Sequence, residues 1–357
     1  MERATIGSAA RRTGACGSGM AATFAHNIML TGPFLARDGA KVNLGLNESP
    51  YSIPDSVKRA AIAALDRLNE YPLGHQERVM EAVERRYGVA AGSVAFTRGV
   101  DEALDRVIEL YPRMRYVLFR PTFIGYEARL RLAGVDHVVV PYDEGFRIRE
   151  GDVASFRKSD LVVLASPNNP TGAMVDRATL ERVRAACGKV FLDEAYIDFA
   201  GAPSSLGDVD GDLFVFRSLS KVFALAGQRL GFLFGAPGAI AEIRNRQWFC
   251  NVDRVSLDVV AAIMERPYMA EYAARTVKER RRVTEAIRGT GLHVGDSHAN
   301  FVLLRSPRAA AIVRHLDERG IVVMDTSVFG LADHARITIG TPAQNDLLLA
   351  ALRTFPG

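Results

Sequence analysis

Between residues 93 and 235, short apolar runs rich in β-branched residues alternate with amphipathic stretches. This alternation predicts an α/β fold with a mainly parallel seven-stranded sheet and helices on both faces, because parallel strands are buried on both sides and joined by crossover helices. The predicted strands are Val94–Thr97, Tyr116–Phe119, His137–Val140, Leu161–Ala165, Val190–Leu192, Leu213–Phe216 and Gly231–Phe234. The predicted helices between them are Asp101–Tyr111, Ile124–Ala133 and Arg177–Cys187.

The pattern changes after Trp248. A long charged helical region over Leu257–Arg288 precedes three further predicted strands and one helix, which are typical of a smaller α+β domain. The strands lie near Phe301–Leu304, Val322–Met324 and Ile337–Ile339, and the helix covers Arg308–Arg319. We therefore predict three parts: an N-terminal arm (1–46) that joins the smaller domain, a large domain (47–250) and a small C-terminal domain (251–357), with residues 1–25 as a mobile segment.

Composition narrows the class of protein. The chain has 357 residues, 48% of them hydrophobic, and 45 basic residues against 41 acidic ones for a net charge of +4. These proportions exclude a chain that is disordered throughout, since low hydrophobicity and high net charge are what prevent collapse. The pI near 9.0 is compatible with nucleic acid, but the arginines are scattered and never form a run of five, so we expect an anionic small-molecule ligand and no nucleic acid.

Cysteine usage and hydropathy indicate the compartment. Cys16, Cys187 and Cys250 are too few and too far apart for a disulfide framework or a structural zinc site, so we expect no metal and a reducing cytoplasm. No stretch approaches the roughly 18 apolar residues of a membrane span. Arg11 and Arg12 precede only a weakly apolar segment, which does not indicate a secretory signal.

Three polar segments each follow a predicted strand of the large sheet, where ligands of such sheets bind. The first is Ser166-Pro167-Asn168-Asn169-Pro170-Thr171-Gly172, in which the prolines fix φ and the asparagine amides stay free for a ligand. The second is Asp193-Glu194-Ala195-Tyr196, and the third runs from Arg217-Ser218-Leu219-Ser220-Lys221 to Gly227-Gln228-Arg229-Leu230-Gly231. Taken singly, they are also compatible with an ordinary loop, a helix cap and a surface Ser/Lys loop.

Together, in this order, the three segments resemble the fold type I pyridoxal-phosphate enzymes, specifically the histidinol-phosphate aminotransferase branch of the class I/II aminotransferases. The resemblance runs from about Val42 to the C-terminus and depends on S-P-N-N-P-T-G, D-E-A-Y and S-x-S-K-x-x-x-L-A-G-x-R-L-G. It implies the fold type I architecture and makes residues 47–250 the domain that binds pyridoxal 5'-phosphate.

The resemblance also implies roles that this cofactor requires. Lys221 would bind the cofactor as an imine, and Asp193 would pair with the protonated ring nitrogen. Asn169 and Tyr196 would hydrogen-bond the ring oxygen, so that Lys221, Asp193 and Tyr196 are the expected catalytic residues.

The cofactor phosphate would lie where a strand ends at Thr97-Arg98-Gly99 and a helix begins. The free N–H groups of Val100 and Asp101 would point at the anion, although the Asp101 side chain is also compatible with a structural role at the helix start. Ser218, Ser220 and Arg229 would supply the remaining donors.

Two aromatic residues complete the expected cofactor site. Phe123 matches a ring that stacks on the cofactor in this family, and a core phenylalanine is the alternative. Tyr71 matches a tyrosine that reaches the cofactor phosphate of the neighbouring subunit, which implies a homodimer with a shared active site; a packed surface tyrosine is the alternative.

On the substrate side, Arg336 in Ala335-Arg336-Ile337 matches the arginine that binds the α-carboxylate, because its fork of N–H groups suits a bidentate anion. Asn47 and Asn169 are the other expected substrate contacts. Asn300 also matches a family position, with a supporting role.

The sequence departs from the branch at two places. Val323-Met324-Asp325 has a thioether where histidinol-phosphate enzymes typically have a second arginine, so a phosphorylated substrate would lose a charge partner. Asn47-Glu48-Ser49-Pro50 has a serine where asparagine or an aromatic residue is frequent. Arg254 is one candidate to replace the cation that is missing at Met324.

The expected function is a cytoplasmic, homodimeric aminotransferase that moves an amino group between an unphosphorylated or specialised L-amino acid and a 2-oxo acid by a ping-pong cycle. The alternatives are histidinol-phosphate aminotransferase proper, or a decarboxylase, oxidase or cyclase with the same cofactor. A non-catalytic binding protein on the same scaffold would not need the complete set of lysine, aspartate, tyrosine and arginine.

Overall fold

The computed structural model describes residues 42–265 and 268–356. Its larger sheet has seven strands, as the hydrophobic pattern predicts. They are β2 (Val94–Thr97), β3 (Arg115–Arg120), β4 (His137–Pro141), β5 (Asp160–Ala165), β6 (Lys189–Asp193), β7 (Leu213–Ser218) and β8 (Gly231–Phe234). Their order across the sheet is β2-β8-β7-β6-β5-β3-β4, and β8 runs antiparallel to both neighbours while the other pairs are parallel.

Helices cover both faces of this sheet, and each face has its own buried apolar cluster. The central strands β5 and β7 are buried along their whole length, which explains why their sequences show no alternation. The first helices of the chain are α1 (Asp55–Leu65), α2 (His75–Tyr87), α3 (Gly99–Leu110), α4 (Ile124–Ala133), α5 (Glu150–Val153), α6 (Arg177–Ala186) and α7 (Pro237–Arg246).

The predicted long helical region over Leu257–Arg288 was wrong as a single element. The structure has two helices there, α8 (Arg254–Met264) and α9 (Tyr268–Arg288). The sequence places Pro267 between them, and proline inside a helix removes a hydrogen bond and clashes with the preceding turn. The amphipathic pattern on both sides concealed this break.

The smaller sheet has five strands around a separate apolar cluster. They are β1 (Val42–Leu44), β9 (His293–Val294), β10 (Phe301–Arg305), β11 (Ile321–Asp325) and β12 (His334–Thr338). Their order across the sheet is β1-β11-β12-β10-β9. The last strand was predicted near Ile337–Ile339, but it begins earlier, at His334. The apolar pattern missed this start because His334 and Arg336 are polar. Two helices, α10 (Ala309–Glu318) and α11 (Pro342–Arg353), pack with this sheet.

Two connections bring the sheets together at the carboxyl ends of β5, β6 and β7. Strand β1 pairs in parallel with β11, so the chain enters the smaller sheet before it builds the larger one. The loop after β5 reaches the segment between β9 and β10, where the Gly172 carbonyl accepts a hydrogen bond of 2.9 Å from the His298 amide. Gly172 has φ +73°, and a Cβ there would lie 2.3 Å from the Ser297 hydroxyl, so this approach requires glycine.

The domain boundaries at 46 and 250 stay a prediction, and the predicted mobile segment 1–25 lies outside the described residues. Within the described ranges, no helix is long and apolar enough to cross a membrane.

Candidate active site

One cavity of about 620 Å³ opens at the carboxyl ends of the large sheet and is closed on one side by the smaller sheet. Twelve of the residues expected from the sequence line it: Asn47, Val100, Asp101, Phe123, Asn169, Asp193, Tyr196, Ser218, Ser220, Lys221, Arg229 and Arg336. The thirteenth, Tyr71, does not.

Asp193 ends β6 at the base of the cavity and is buried. One carboxylate oxygen accepts a hydrogen bond from the Tyr126 hydroxyl, and the other accepts one of 2.8 Å from the Ala195 amide. Burial raises the pKa of Asp193 to about 6, and the two hydrogen bonds and the charge of Lys221 oppose the rise only in part. A cation placed against this carboxylate would therefore be strongly favoured.

Lys221 follows β7 and extends toward the residues before α1. Its Nζ donates to the Asn47 carbonyl at 3.2 Å and lies 5.4 Å from the centre of the Tyr196 ring. Asn47, with φ +53°, donates through Nδ2 to the Tyr196 hydroxyl at 3.1 Å and accepts at Oδ1 from the Thr338 hydroxyl at 3.0 Å. Asn47 thus contacts Tyr196 through its side chain and Lys221 through its backbone carbonyl, and its expected contact with a substrate stays a prediction.

The start of α3, at the other end of the cavity, could hold an anion. The backbone N–H groups of its first turn have no partners within the helix, and the helix dipole favours negative charge there. Arg229 approaches Gly99, which has φ +76°, so closely that a Cβ there would lie 3.2 Å from Nη2. Burial raises the pKa of Asp101, against the opposing charges of Arg129 and Arg229. The Ser218 hydroxyl accepts from the Ser220 amide at 3.1 Å on the same side.

Phe123 precedes α4, and its ring packs edge-on against Tyr126 with centroids 5.4 Å apart. Gly125 makes room for this ring, since a Cβ on Gly125 would lie 2.4 Å from Phe123 Cε1 and 2.8 Å from Asp101 Oδ1. The aromatic wall of the cavity therefore depends on a glycine within α4.

The two asparagines of the Ser166–Gly172 segment have different surroundings. We expected both amides to be free, but Asn168 accepts from the Thr122 hydroxyl at 2.7 Å and donates to the Pro121 carbonyl and the Thr171 hydroxyl, each at 2.9 Å. Asn168 therefore holds the loop, which corrects the prediction. Asn169 faces the cavity and accepts at Oδ1 from Nη1 of Arg336.

Arg336 lies on β12 and is 3% exposed. Besides Asn169, it donates through Nη2 to the Gly45 carbonyl at 2.6 Å. Its guanidinium carbon lies 5.5 Å from the centre of the Phe301 ring and 5.8 Å from that of the Phe329 ring. Among the described residues, its Nε has no hydrogen-bond partner, and neither does Oδ1 of Asn300. Burial lowers the pKa of Arg336 to about 10, so the group stays charged at neutral pH. A buried, charged and incompletely bonded guanidinium is prepared for an anionic ligand.

Two motif residues stabilise the fold outside the cavity. The Glu194 carboxylate accepts from the Ser205 amide at 2.7 Å and from the Ser204 hydroxyl, and Arg217 donates to Asp198 at 2.6 Å. Burial alone would lower the pKa of Arg217, but the carboxylates of Asp198 and Glu194 raise it overall.

Sequence reasoning missed several residues of the cavity. Tyr126 could have been found, because it lies three positions after Phe123 and so on the same face of α4. Leu46, Val328 and Phe329, which with Met324 form an apolar wall, gave no signal, because they come from segments separated by almost the whole chain. No group of three or more potential metal ligands occurs within the described residues.

A cavity that joins a lysine, a buried acid, a helix N-terminus and a buried arginine on a seven-stranded α/β sheet is typical of a pyridoxal-phosphate-dependent transferase. Residues 40–352 match the model of the family "Aminotransferase class I and II", and the chain belongs to this family.

Similar proteins agree with this assignment. Histidinol-phosphate aminotransferase 1 of Pseudomonas fluorescens is 33% identical over 330 residues, covering 87% of this chain and 92% of the relative. The crystal structure of a Burkholderia pseudomallei protein described as an aminotransferase has 38% identity and a TM-score of 0.85, covering 88% and 98% of the two chains. Histidinol-phosphate aminotransferase of Sinorhizobium meliloti, solved with pyridoxal 5'-phosphate, has the same fold with 24% identity, a TM-score of 0.79 and coverage of 87% and 90%.

The protein is thus a pyridoxal-phosphate-dependent aminotransferase, which confirms the predicted fold class, cofactor and enzyme class. The residues present fit the cofactor: a buried carboxyl for its ring nitrogen, a lysine for its aldehyde, and backbone donors at α3 for its phosphate.

Proposed function

We propose that this enzyme moves the amino group of an L-amino acid with a free α-carboxylate to a 2-oxo acid. The observation that supports this most is that Lys221, Asp193 and Arg336 line one cavity. An amine, an acid and an anion receptor in this arrangement can hold a cofactor and an amino acid side by side.

Each residue has a defined task in this proposal. The bound cofactor supplies an electron sink for the negative charge that develops on the substrate's α-carbon. Asp193 would hold the cofactor ring by its nitrogen, and its phosphate would be held by Val100, Asp101, Ser218, Ser220 and Arg229. Asn169 and Tyr196 would donate to its ring oxygen.

On the substrate, Arg336 would bind the α-carboxylate and thereby fix the orientation of the α-carbon in the cavity. Nζ of Lys221 accepts the α-proton as general base. Asn47 positions Lys221 and Tyr196 for these steps.

A second candidate is histidinol-phosphate aminotransferase, which the name of the 33% identical Pseudomonas fluorescens relative favours. Both candidates are tested by following the visible absorption of the bound cofactor when L-amino acids or histidinol phosphate are added as donors. If histidinol phosphate changes the cofactor absorption and no L-amino acid does, the second candidate is the function.

Two variants test the assigned roles. We expect Lys221→Ala to lose the absorption of the covalently bound cofactor and to slow turnover by at least about a thousandfold. We expect Arg336→Ala to raise the donor KM by about a hundredfold, because a buried charged hydrogen-bond partner is lost, while the cofactor Kd changes little. Lys58→Ala, which removes an exposed lysine, is the control. Normal turnover in Lys221→Ala, or equal loss of donor and cofactor binding in Arg336→Ala, would contradict the roles.

We further propose a homodimer with a shared active site. Tyr71 is 73% exposed and lies outside its own cavity, and it contacts Phe249 with ring centroids 5.8 Å apart. Other large apolar side chains from nearby parts of the sequence are also exposed, and we call the whole set the apolar patch: Ile62, Leu65, Leu68, Tyr71, Leu73, Trp248 and Phe249. Large exposed apolar patches are typical of protein interfaces.

Mixing two variants tests whether Tyr71 serves the neighbouring site. Lys221→Ala and Tyr71→Phe chains, denatured together and refolded, form mixed dimers in which one of the two sites has both native residues. We expect activity above the sum of the two separate variants, approaching about a quarter of wild type with random pairing. Activity equal to that sum would show that Tyr71 acts within its own chain or not at all.

We place the enzyme in the cytoplasm. Cys187 and Cys250 are free thiols in the structure, which suits a reducing compartment. An antibody against the protein, used to probe the cytoplasmic fraction and the remaining fractions of the same cells, would test this location.

A further inference from the structure

The substrate half of the cavity has little positive charge. Within residues 42–265 and 268–356, its cationic lining residues are Lys221, Arg229 and Arg336. In the proposed function, Lys221 holds the cofactor and Arg229 faces its phosphate, so Arg336 is left for the substrate. One guanidinium matches the single charge of a carboxylate better than the double charge of a phosphate monoester.

Met324 occupies the position next to this guanidinium. The two residues are directly paired across β11 and β12, and such cross-strand neighbours have Cβ atoms about 5 Å apart. Met324 is 8% exposed and lines the cavity, so a cation at this position would have reached the same anion. The residue that follows, Asp325, accepts from the Ser327 amide at 2.9 Å and begins the 3₁₀ helix Thr326–Phe329.

That short helix carries the rest of an apolar surface. Val328 and Phe329 face the cavity from it, Leu46 faces it from the segment after β1, and Met324 lies beside Arg336. We call these four side chains the apolar wall. Because the Phe329 ring also lies 5.8 Å from the Arg336 guanidinium, the apolar wall adjoins the place where the carboxylate would bind.

Arg254, one candidate for the missing cation, does not fill this gap within its own chain. It is buried on α8, outside the cavity lining, with its Nη2 3.8 Å from the Glu70 carboxylate. An arginine beside Arg336 therefore has no replacement among the described residues of the same chain.

We infer that Met324 and the apolar wall select an unphosphorylated amino acid with an apolar or aromatic side chain, and select against phosphate monoesters. This inference rests on the proposed function of the same site. Burial of such a side chain against the apolar wall contributes to substrate binding through the hydrophobic effect. A phosphate dianion would instead face the Met324 thioether, where it needs a second hydrogen-bond donor.

The first test compares donors in a single half-reaction with the wild-type holoenzyme, monitored by the cofactor absorption. The apolar donors are L-leucine, L-methionine and L-phenylalanine, and the charged ones are L-glutamate and histidinol phosphate. We expect the best apolar donor to react with a second-order rate constant at least about tenfold above both charged donors. Equal or faster reaction of histidinol phosphate would overturn the inference and leave the aminotransferase chemistry intact. No conversion by any donor, with the cofactor bound, would overturn the proposed function as well.

A pair of variants at one position makes the test specific. We expect Met324→Arg to raise the rate constant for histidinol phosphate relative to L-phenylalanine by at least about tenfold. Met324→Leu, which keeps an apolar side chain of similar volume, is the control and should keep the wild-type ratio within about threefold. An unchanged ratio in Met324→Arg would overturn the role of Met324.

Binding of unreactive analogues to wild type avoids any effect of Met324→Arg on folding. Calorimetry would compare 3-phenylpropanoate with 2-phenylethyl phosphate, which differ in the anion, and with propanoate, which lacks the ring. We expect 3-phenylpropanoate to bind at least about tenfold more tightly than either. Equal or tighter binding of the phosphate would overturn the charge selection, and equal binding of propanoate would overturn the role of the apolar wall.

Discussion

At the scale of single residues, the proposed pairing of the buried Asp193 carboxyl with the cofactor ring predicts how cofactor binding depends on pH. Burial raises the pKa of Asp193 to about 6, so the carboxyl of the apoenzyme is protonated below that pH. To pair with the protonated ring nitrogen of the cofactor, the carboxyl must first lose this proton. The apoenzyme releases that proton on binding, and linkage couples affinity to pH.

We therefore expect cofactor affinity of the apoenzyme to rise by up to about tenfold per pH unit as the pH approaches 6 from below, and to level off above it. Titrations of the apoenzyme with cofactor at several pH values between 4.5 and 8, followed by absorbance, would give the Kd values. This range extends about 1.5 pH units below the expected step. Asp193→Asn should remove the step. Tyr126→Phe should move it to higher pH, because the Tyr126 hydrogen bond lowers the pKa of Asp193. A step that stays in Asp193→Asn would assign it to another group.

The same shift affects folding of the apoenzyme. Since the folded-state pKa of Asp193 lies above its unfolded value of 3.8, the folded chain binds the proton more tightly than the unfolded chain. The stability that this provides is fully present below the unfolded pKa and is lost as the pH rises through about 6. In the proposed function, bound cofactor would offset this loss of stability by giving the Asp193 carboxylate a cationic partner.

At the scale of elements, helix starts and loops after strands carry most of the site. Helix α3 begins at a glycine with positive φ and provides backbone donors, and α4 begins beside Phe123 with a glycine in its first turn. The loop after β5 is held by Asn168, so that Asn169 can face Arg336. Short elements of fixed geometry thus place side chains that are distant in sequence.

Gly125→Ala tests how closely α4 is fitted to the cofactor site. The added methyl group would lie 2.4 Å from the Phe123 ring, so we expect the ring to shift and the cofactor Kd to rise by about tenfold, the result of one lost ring contact. Gly238→Ala is the matched control, because Gly238 is also the second residue of a helix, α7, and a Cβ there would meet nothing within 4 Å. Both changes favour the helix by about 0.5–1 kcal/mol. An unchanged Kd in Gly125→Ala would contradict the fit.

At the scale of the whole molecule, the two sheets close one cavity, and the apolar patch is left on the outside. The patch includes residues of the C-terminal part of α1 and residues 248 and 249, and α1 packs against α8, the helix that follows residue 249 in the chain. Its large side chains, including Trp248 at 84% exposure, are covered in the proposed homodimer.

Trp248→Glu is expected to weaken this dimer, because it puts a charge into an apolar interface. Sedimentation velocity should show a shift to monomer, with a parallel loss of activity if the site is shared. Leu347→Glu is the control, since Leu347 is also an exposed apolar residue, at 55%, but lies on α11 outside the patch. A monomeric wild type, or a dimer equally sensitive to both changes, would contradict the assignment of the interface.

The sequence by itself determined the alternation that builds the large sheet and the chemistry of the segments after β5, β6 and β7. Strand periodicity and turn residues are local properties, and the lysine, aspartate and arginine types follow from the cofactor chemistry that the motifs indicate. The same local reading joined α8 and α9 into one region, because amphipathic periodicity on both sides of Pro267 is similar.

Only the tertiary structure decided which amide of Asn168 and Asn169 faces the cavity, that Tyr126 bonds Asp193, and that Met324 stands beside Arg336. These relations depend on the pairing of β11 with β12 and on the return of residues 45–47 to the site, contacts between segments far apart in the chain. Distance along a chain does not encode distance in space, so the charge balance around the substrate emerges only when the two sheets meet.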